Sequence, residues 1–144
     1  MTTPMLHHYT CVHSAQGIIA DGRLRTMADH HGMRELAPGL DWMLHIIWLT
    51  DLDMPHPRAL GLDRRALHCD RTTWRFTAAD TTTVVPWTRW VRSRTDITRR
   101  VRAEVEAGCL PAHWWISCVP VPVRLPALRT HRSGALLGRT TADG

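Results

Sequence analysis

Most of the chemistry this chain could do sits on a few histidines, hydroxyls and arginines around short apolar runs. The first run is Leu6-His7-His8-Tyr9-Thr10. Side chains alternate along a strand, so Leu6, His8 and Thr10 share one face and His7 and Tyr9 share the other. A neutral imidazole offers one donor and one acceptor, and a neighbouring hydroxyl adds a third group. His8 and Thr10 are therefore suited to hold a polar ligand; the alternative is that His8 is a hydrogen-bonded core histidine at a strand end. Trp48 and Thr50 share a face of a second apolar strand, Ile46 to Thr50, and are expected to border the same pocket. Trp48 could equally be core. His113 opens a later strand, where it could bind phosphate or accept a proton. Trp114 or Trp115 beside it could stack on a base. Arg71 and Arg75 have the guanidinium fork that grips phosphate. Asp70 and Arg71 could instead simply form a turn.

Metal and carboxylate chemistry are less well supplied. The four cysteines, Cys11, Cys69, Cys109 and Cys118, form no C-x-x-C pair. His7, His8, Cys11 and His13 cluster in sequence, but His7 and His8 point apart on a strand. No metal, structural zinc included, is expected on spacing alone. Only three glutamates are present, Glu35, Glu104 and Glu106. Arg100 and Arg102 precede Glu104 and Glu106 by one helical turn, the spacing of ordinary surface ion pairs. Glu104 is nonetheless the candidate catalytic carboxylate.

These residues need elements to position them. After the first strand, His13 or Ser14 can cap a short helix whose buried stripe is Ala15, Ile18 and Ile19. Gly22 suits its left-handed end. Arg25 to Leu40 reads as a long loop with, at most, a short turn of helix. Asp51 to Pro57 turns, and Arg58 to Leu62 forms a helical turn. Leu67 to Ala78 alternates as a strand. Thr81 to Trp90 reads as irregular or extended. Asp96 can cap a helix from Ile97 to Ala107, with Ile97, Val101 and Val105 as its stripe and Gly108 as its stop. A last strand runs from His113 to Val119, closed by Pro120 and Pro122. The order strand, helix, strand, strand, helix, strand, without a Gly-rich phosphate loop, argues for an α+β domain on a largely antiparallel sheet. It argues against Rossmann and P-loop folds.

With 144 residues, 44% of them hydrophobic, the chain suits one core and not global disorder. Residues 1–128 are read as one domain and 129–144 as a loose tail. All 18 basic residues are Arg, and the net charge is +5. That balance admits an anionic partner such as nucleic acid. The chain also carries seven Trp, some of which could line a groove. No apolar stretch opens the chain or reaches membrane-spanning length. A cytoplasmic protein with reduced thiols, and no membrane partner, is expected.

The strand with His8-x-Thr10, the helix with Ile18-x-x-x-Gly22-x-Leu24, and the strand Ile46-Ile47-Trp48-Leu49-Thr50 resemble the opening of the ADP-ribosyltransferase superfamily. The nearest branches are the DNA-targeting ADP-ribosyltransferases and the tRNA 2′-phosphotransferases. The resemblance covers roughly the first third of the chain. It implies a small, split, largely antiparallel sheet with flanking helices. It implies a transferase that uses NAD as co-substrate. The group moved would be ADP-ribose, or a related ribosyl or phosphate group from a nucleotide, and the acceptor a nucleic acid or protein. By the same resemblance, His8 would hold the nucleotide ribose with Tyr9 and Thr10 supporting. Trp48 and Thr50 would line the nicotinamide side, and Arg71 and His113 would meet phosphate and acceptor. Many members use a Glu that steadies the positive charge as nicotinamide leaves. This chain matches no such Glu motif, which leaves Glu104 as the stand-in. The phosphotransferase branch relies on Arg and His instead. Two rivals remain: an inactive nucleotide- or nucleic-acid-binding version of the fold, and a small interaction protein with exposed Trp surfaces.

Overall fold

The computed structural model describes residues 4–31, 39–63 and 69–130. It is an α+β fold built on a mostly antiparallel sheet. In chain order the elements are β1 (His7–Thr10), α1 (Val12–Asp21), β2 (Arg23–Leu24), α2 (Met27–His31), a 3-10 turn (Asp41–His45), β3 (Ile47–Thr50) and β4 (Trp74–Thr77). There follow β5 (Val85–Pro86), α3 (Trp87–Arg92), α4 (Arg99–Glu106), β6 (Trp114–Ser117), β7 (Val121–Pro122) and β8 (Leu128–Arg129). The main sheet runs β5-β6-β3-β1-β4-β8, and β2 pairs with β7 in a separate ribbon. No helix among the described residues is long and apolar enough to cross a membrane.

The sheet is two antiparallel halves joined at a narrow seam. β1 pairs with β4 through His7↔Thr77, His8↔Phe76, Tyr9↔Arg75 and Thr10↔Trp74. β3 pairs with β6 from Ile47↔Ser117 to Thr50↔Trp114. Between β1 and β3 the register holds just His7↔Thr50. Opposed residues of an antiparallel pair lie on one face, so each face carries its own core. On the first, Ile47, Leu49 and Phe76 pack with Leu6, Ala15, Ile18, Leu24 and Val121, which brings α1 and the β2–β7 ribbon onto the sheet. On the second, Ile116 and Trp114 pack with Trp42, Trp87, Val91, Ile97 and Val105, with Trp48 against them. That layer is covered by the 3-10 turn, α3 and α4.

Several expectations shift. The N-cap of α1 is Cys11, and His13 and Ser14 lie inside the helix, so neither caps it. Ile19 is 41% exposed and leaves the stripe to Ala15 and Ile18. Gly22 does end the helix at φ 71°. α4 is capped by Thr98, whose hydroxyl accepts from the Val101 N–H at 3.1 Å. Asp96 is instead held by Arg94. The expected strand from Leu67 shrinks to β4, because Asp70 bonds the Thr72 N–H and hydroxyl and makes a turn; residues 64–68 lie outside the described residues. Trp87 to Trp90 is helical rather than extended. Arg129 pairs with Trp74, and Thr130 is buried with its N–H on the Thr73 carbonyl oxygen at 2.6 Å. The folded part therefore reaches Thr130, beyond the expected boundary, and 131–144 lie outside the described residues. In the long loop, α2 is the expected helical turn, and 32–38 likewise fall outside.

Candidate functional site

The seam between β1 and β3 is where a polar side chain replaces a ladder bond. Past His7↔Thr50 the strands part, and the His8 imidazole takes up the freed carbonyl: its Nδ1 lies 2.7 Å from the Trp48 carbonyl oxygen. A carbonyl only accepts, so Nδ1 carries the proton and Nε2 is the acceptor. Burial lowers the pKa of His8, the Arg71 guanidinium lowers it further, and the Trp48 carbonyl opposes both. His8 is therefore neutral at physiological pH, with one lone pair to offer.

His8 shares its sheet face with Thr10, which is 1% exposed. Arg71 stands close enough to act on the ring, and it also faces the Cys69 thiol. Its Nε is buried without a partner among the described residues. So are the indole N–H groups of Trp74 and Trp115. Trp74 is opposed to Thr10, and Trp115 to Leu49, so one indole belongs to each half of the sheet, and both lie on the face of His8. Buried donors without acceptors are uncommon and costly. Here three of them fall on the His8 face or beside it.

Thr50 and Trp48 are on the other face, contrary to the shared pocket expected. A register in which Thr50 opposes His7 puts both away from His8. Thr50 is buried, and its hydroxyl accepts from the Leu52 N–H at 3.1 Å. The Trp48 ring packs against Trp87 and Trp114, with centroids 5.0 and 5.4 Å away. Tyr9 also faces away and donates its hydroxyl to the Leu52 carbonyl at 2.8 Å. Burial pushes its phenol up to about 12, so it stays protonated. His113 sits two strands from β1, with Nδ1 2.7 Å from an Asp51 carboxylate oxygen. Glu104 is on exposed α4, paired with Arg100 at 3.2 Å, and Glu106 is bonded by Arg102 and the Trp87 indole. Neither glutamate approaches His8, because α4 covers the opposite layer. All seven Trp are buried or half-buried. Of the residues singled out in sequence, the fold gathers His8, Thr10 and Arg71; it separates Tyr9, Thr50, His113, Glu104 and the Trp48 ring from them.

Sequence reasoning missed one grouping. Cys69 comes up against Cys11 and His13 at the start of α1. Burial alone would raise the Cys11 thiol, but hydrogen bonds from Cys69, Ser14 and His13 outweigh it and bring it to about 6. Cys69 is raised, by burial and by its Cys11 neighbour. A separate shallow groove of about 390 Å³ is lined by His56, Pro57, Arg58, Ala59, Gly108 and Leu110 and shares none of these residues.

His7 completes the picture on the far face. Its Nδ1 is 2.9 Å from the Thr77 hydroxyl, and its Nε2 is 3.5 Å from Asp53. Burial lowers its pKa, Arg75 and Arg124 add to the effect, and Asp53 opposes it. Both imidazoles thus have folded values below the unfolded 6.5. The unfolded chain binds more protons in that interval, so stability is full above 6.5 and is lost as pH falls below it toward the folded values. Urea midpoints measured from neutral to mildly acid pH should fall accordingly, and His7→Gln should flatten the fall. A midpoint that stays level or rises over this range would show the imidazoles to be charged in the fold.

Comparison with known protein families, with curated proteins and with solved structures gives no match.

Proposed function

We propose that the chain binds an NAD-like nucleotide where β1 and β3 part, and transfers its ADP-ribosyl group to a nucleic-acid or protein acceptor. The observation that carries this reading is the neutral His8 acceptor beside Arg71, on the sheet face where the Trp74 and Trp115 indoles lack partners among the described residues. A ribose hydroxyl can donate to His8 Nε2. The Arg71 fork meets the pyrophosphate, where a charge-assisted pair is strong. Buried indole N–H groups can donate to sugar or amide oxygens.

A second reading has a specific observation in its favour. Glu104 is a solvent-facing partner of Arg100, and Glu106 is engaged by Arg102 and Trp87. Neither Glu104 nor Glu106 is therefore available, among the described residues, to steady an oxocarbenium ion at the seam, and in this reading the chain holds nucleotide and does not turn it over. Incubation with labelled NAD and separate DNA, RNA and protein acceptors decides between the two. Label transferred to one pool supports the transferase; tight binding with no transfer supports the binding module.

Arg71→Gln gives an independent check of the phosphate role. It should weaken NAD by about tenfold or more and leave adenosine, which has no phosphate, unchanged. Equal losses for both ligands in a binding titration would place Arg71 outside the phosphate contact.

A further inference from the structure

Cys11, His13 and Cys69 present three ligand atoms that all lie within 4.8 Å of one another. Two come from the start of α1. The third arrives from the turn that carries Arg71, far along the chain. We propose that these three side chains bind a zinc ion, independently of the nucleotide reading above. Two sulfurs and one imidazole nitrogen are a donor set that suits zinc, and three protein ligands leave a fourth position for water. In a tetrahedral site with zinc–sulfur and zinc–nitrogen bonds of ordinary length, donor atoms stand about 3.5 Å apart. Zinc binding requires side-chain rotation to bring the donors from within 4.8 Å to that spacing.

The surroundings fit this use. Cys11 occupies the N-cap position of α1, its Sγ lies 3.7 Å from the Ser14 hydroxyl, and it is 3% exposed. Cys69 is half-buried and His13 is exposed, so the cluster opens to solvent on one side, where an ion can enter. Binding replaces the thiol protons with the metal and releases them to water. The absence of C-x-x-C spacing does not weigh against such a site, because the fold, not the sequence interval, brings the third ligand in. A consequence follows for the seam: the ion would tie the Arg71 turn to α1 and so hold Arg71 beside His8.

The test uses the full chain, purified under reducing conditions, equilibrated with zinc and freed of unbound metal. Elemental analysis should find one zinc per chain. Cys11→Ser and Cys69→Ser should lose it, and Cys109→Ser and Cys118→Ser should keep it. Cobalt in place of zinc should give thiolate-to-metal charge-transfer absorption in the unaltered chain, which reads the ligands even if a serine variant fails to fold. In the same unaltered chain, zinc should protect Cys11 and Cys69 from alkylation and leave the exposed Cys118 reactive. Failure to retain zinc overturns the proposal. So does undiminished zinc in a folded Cys69→Ser, or a cobalt spectrum without thiolate bands. A Cys11–Cys69 disulfide that persists in reductant, with no metal bound, also overturns it.

Discussion

Trp87→Ala is expected to cost about 3–5 kcal/mol of stability, enough to unfold much of a domain whose total is on the order of 5–15 kcal/mol. Trp87 is fully buried. Its ring lies between 5.0 and 5.9 Å from the rings of Trp42, Trp48, Trp90 and Trp114, centroid to centroid. Its indole N–H donates to Glu106 at 2.8 Å, which fastens α4 to the layer. Truncation therefore leaves a cavity at the meeting point of four other indoles and strands a carboxylate that Arg102 alone would hold. Trp87→Phe keeps an aromatic ring and loses the hydrogen bond, so it should cost less. Urea unfolding of the three proteins checks the order. A Trp87→Ala protein as stable as wild type would mean that the second core does not hold the fold together.

His8→Ala is expected to weaken NAD binding by roughly ten- to a hundredfold, the effect of losing about 1–3 kcal/mol of hydrogen bonding in a desolvated site. It should also cost some stability, because the Trp48 carbonyl loses its donor at 2.7 Å where the two halves of the sheet meet. The two effects separate when affinity is measured at a temperature where the variant is fully folded. A variant that melts lower and binds NAD as wild type does would make His8 a structural bridge across the seam and nothing more.

The local pattern in the sequence was a good guide to the strands. Leu6, His8 and Thr10 do share a face, and the Arg100–Glu104 and Arg102–Glu106 pairs form as spaced. Gly22 ends α1 in the left-handed conformation its position asked for. What local pattern does not carry is register. A shift of one residue between β1 and β3 decides whether Thr50 joins His8 or His7, and each strand alone looks the same either way. Short elements were also illegible. β7 and β8 have two residues each, too few for a period to show. α3 is rich in aromatic and β-branched residues with modest helix propensity, and the packing of Trp87 and Val91 settles it. Cys69 meets Cys11 through a long-range contact that no spacing rule anticipates. α4 starts at Arg99, two residues later than Asp96 would cap it, so the cap is Thr98, and Asp96 pairs with Arg94.

The indole N–H resonances of the tryptophans test the central claim most directly, during a titration with NAD followed by NMR. Trp74 and Trp115 have buried N–H groups without partners among the described residues, on the face of His8. Those of Trp42, Trp87 and Trp114 are already bonded to the Gly39 carbonyl, the Glu106 carboxylate and the Ala59 carbonyl. Nucleotide at the seam predicts saturable shifts of the Trp74 and Trp115 signals, with the other three unmoved. Saturable binding that shifts Trp42, Trp87 or Trp114 and leaves Trp74 and Trp115 in place would contradict it, as would a titration in which no indole signal moves.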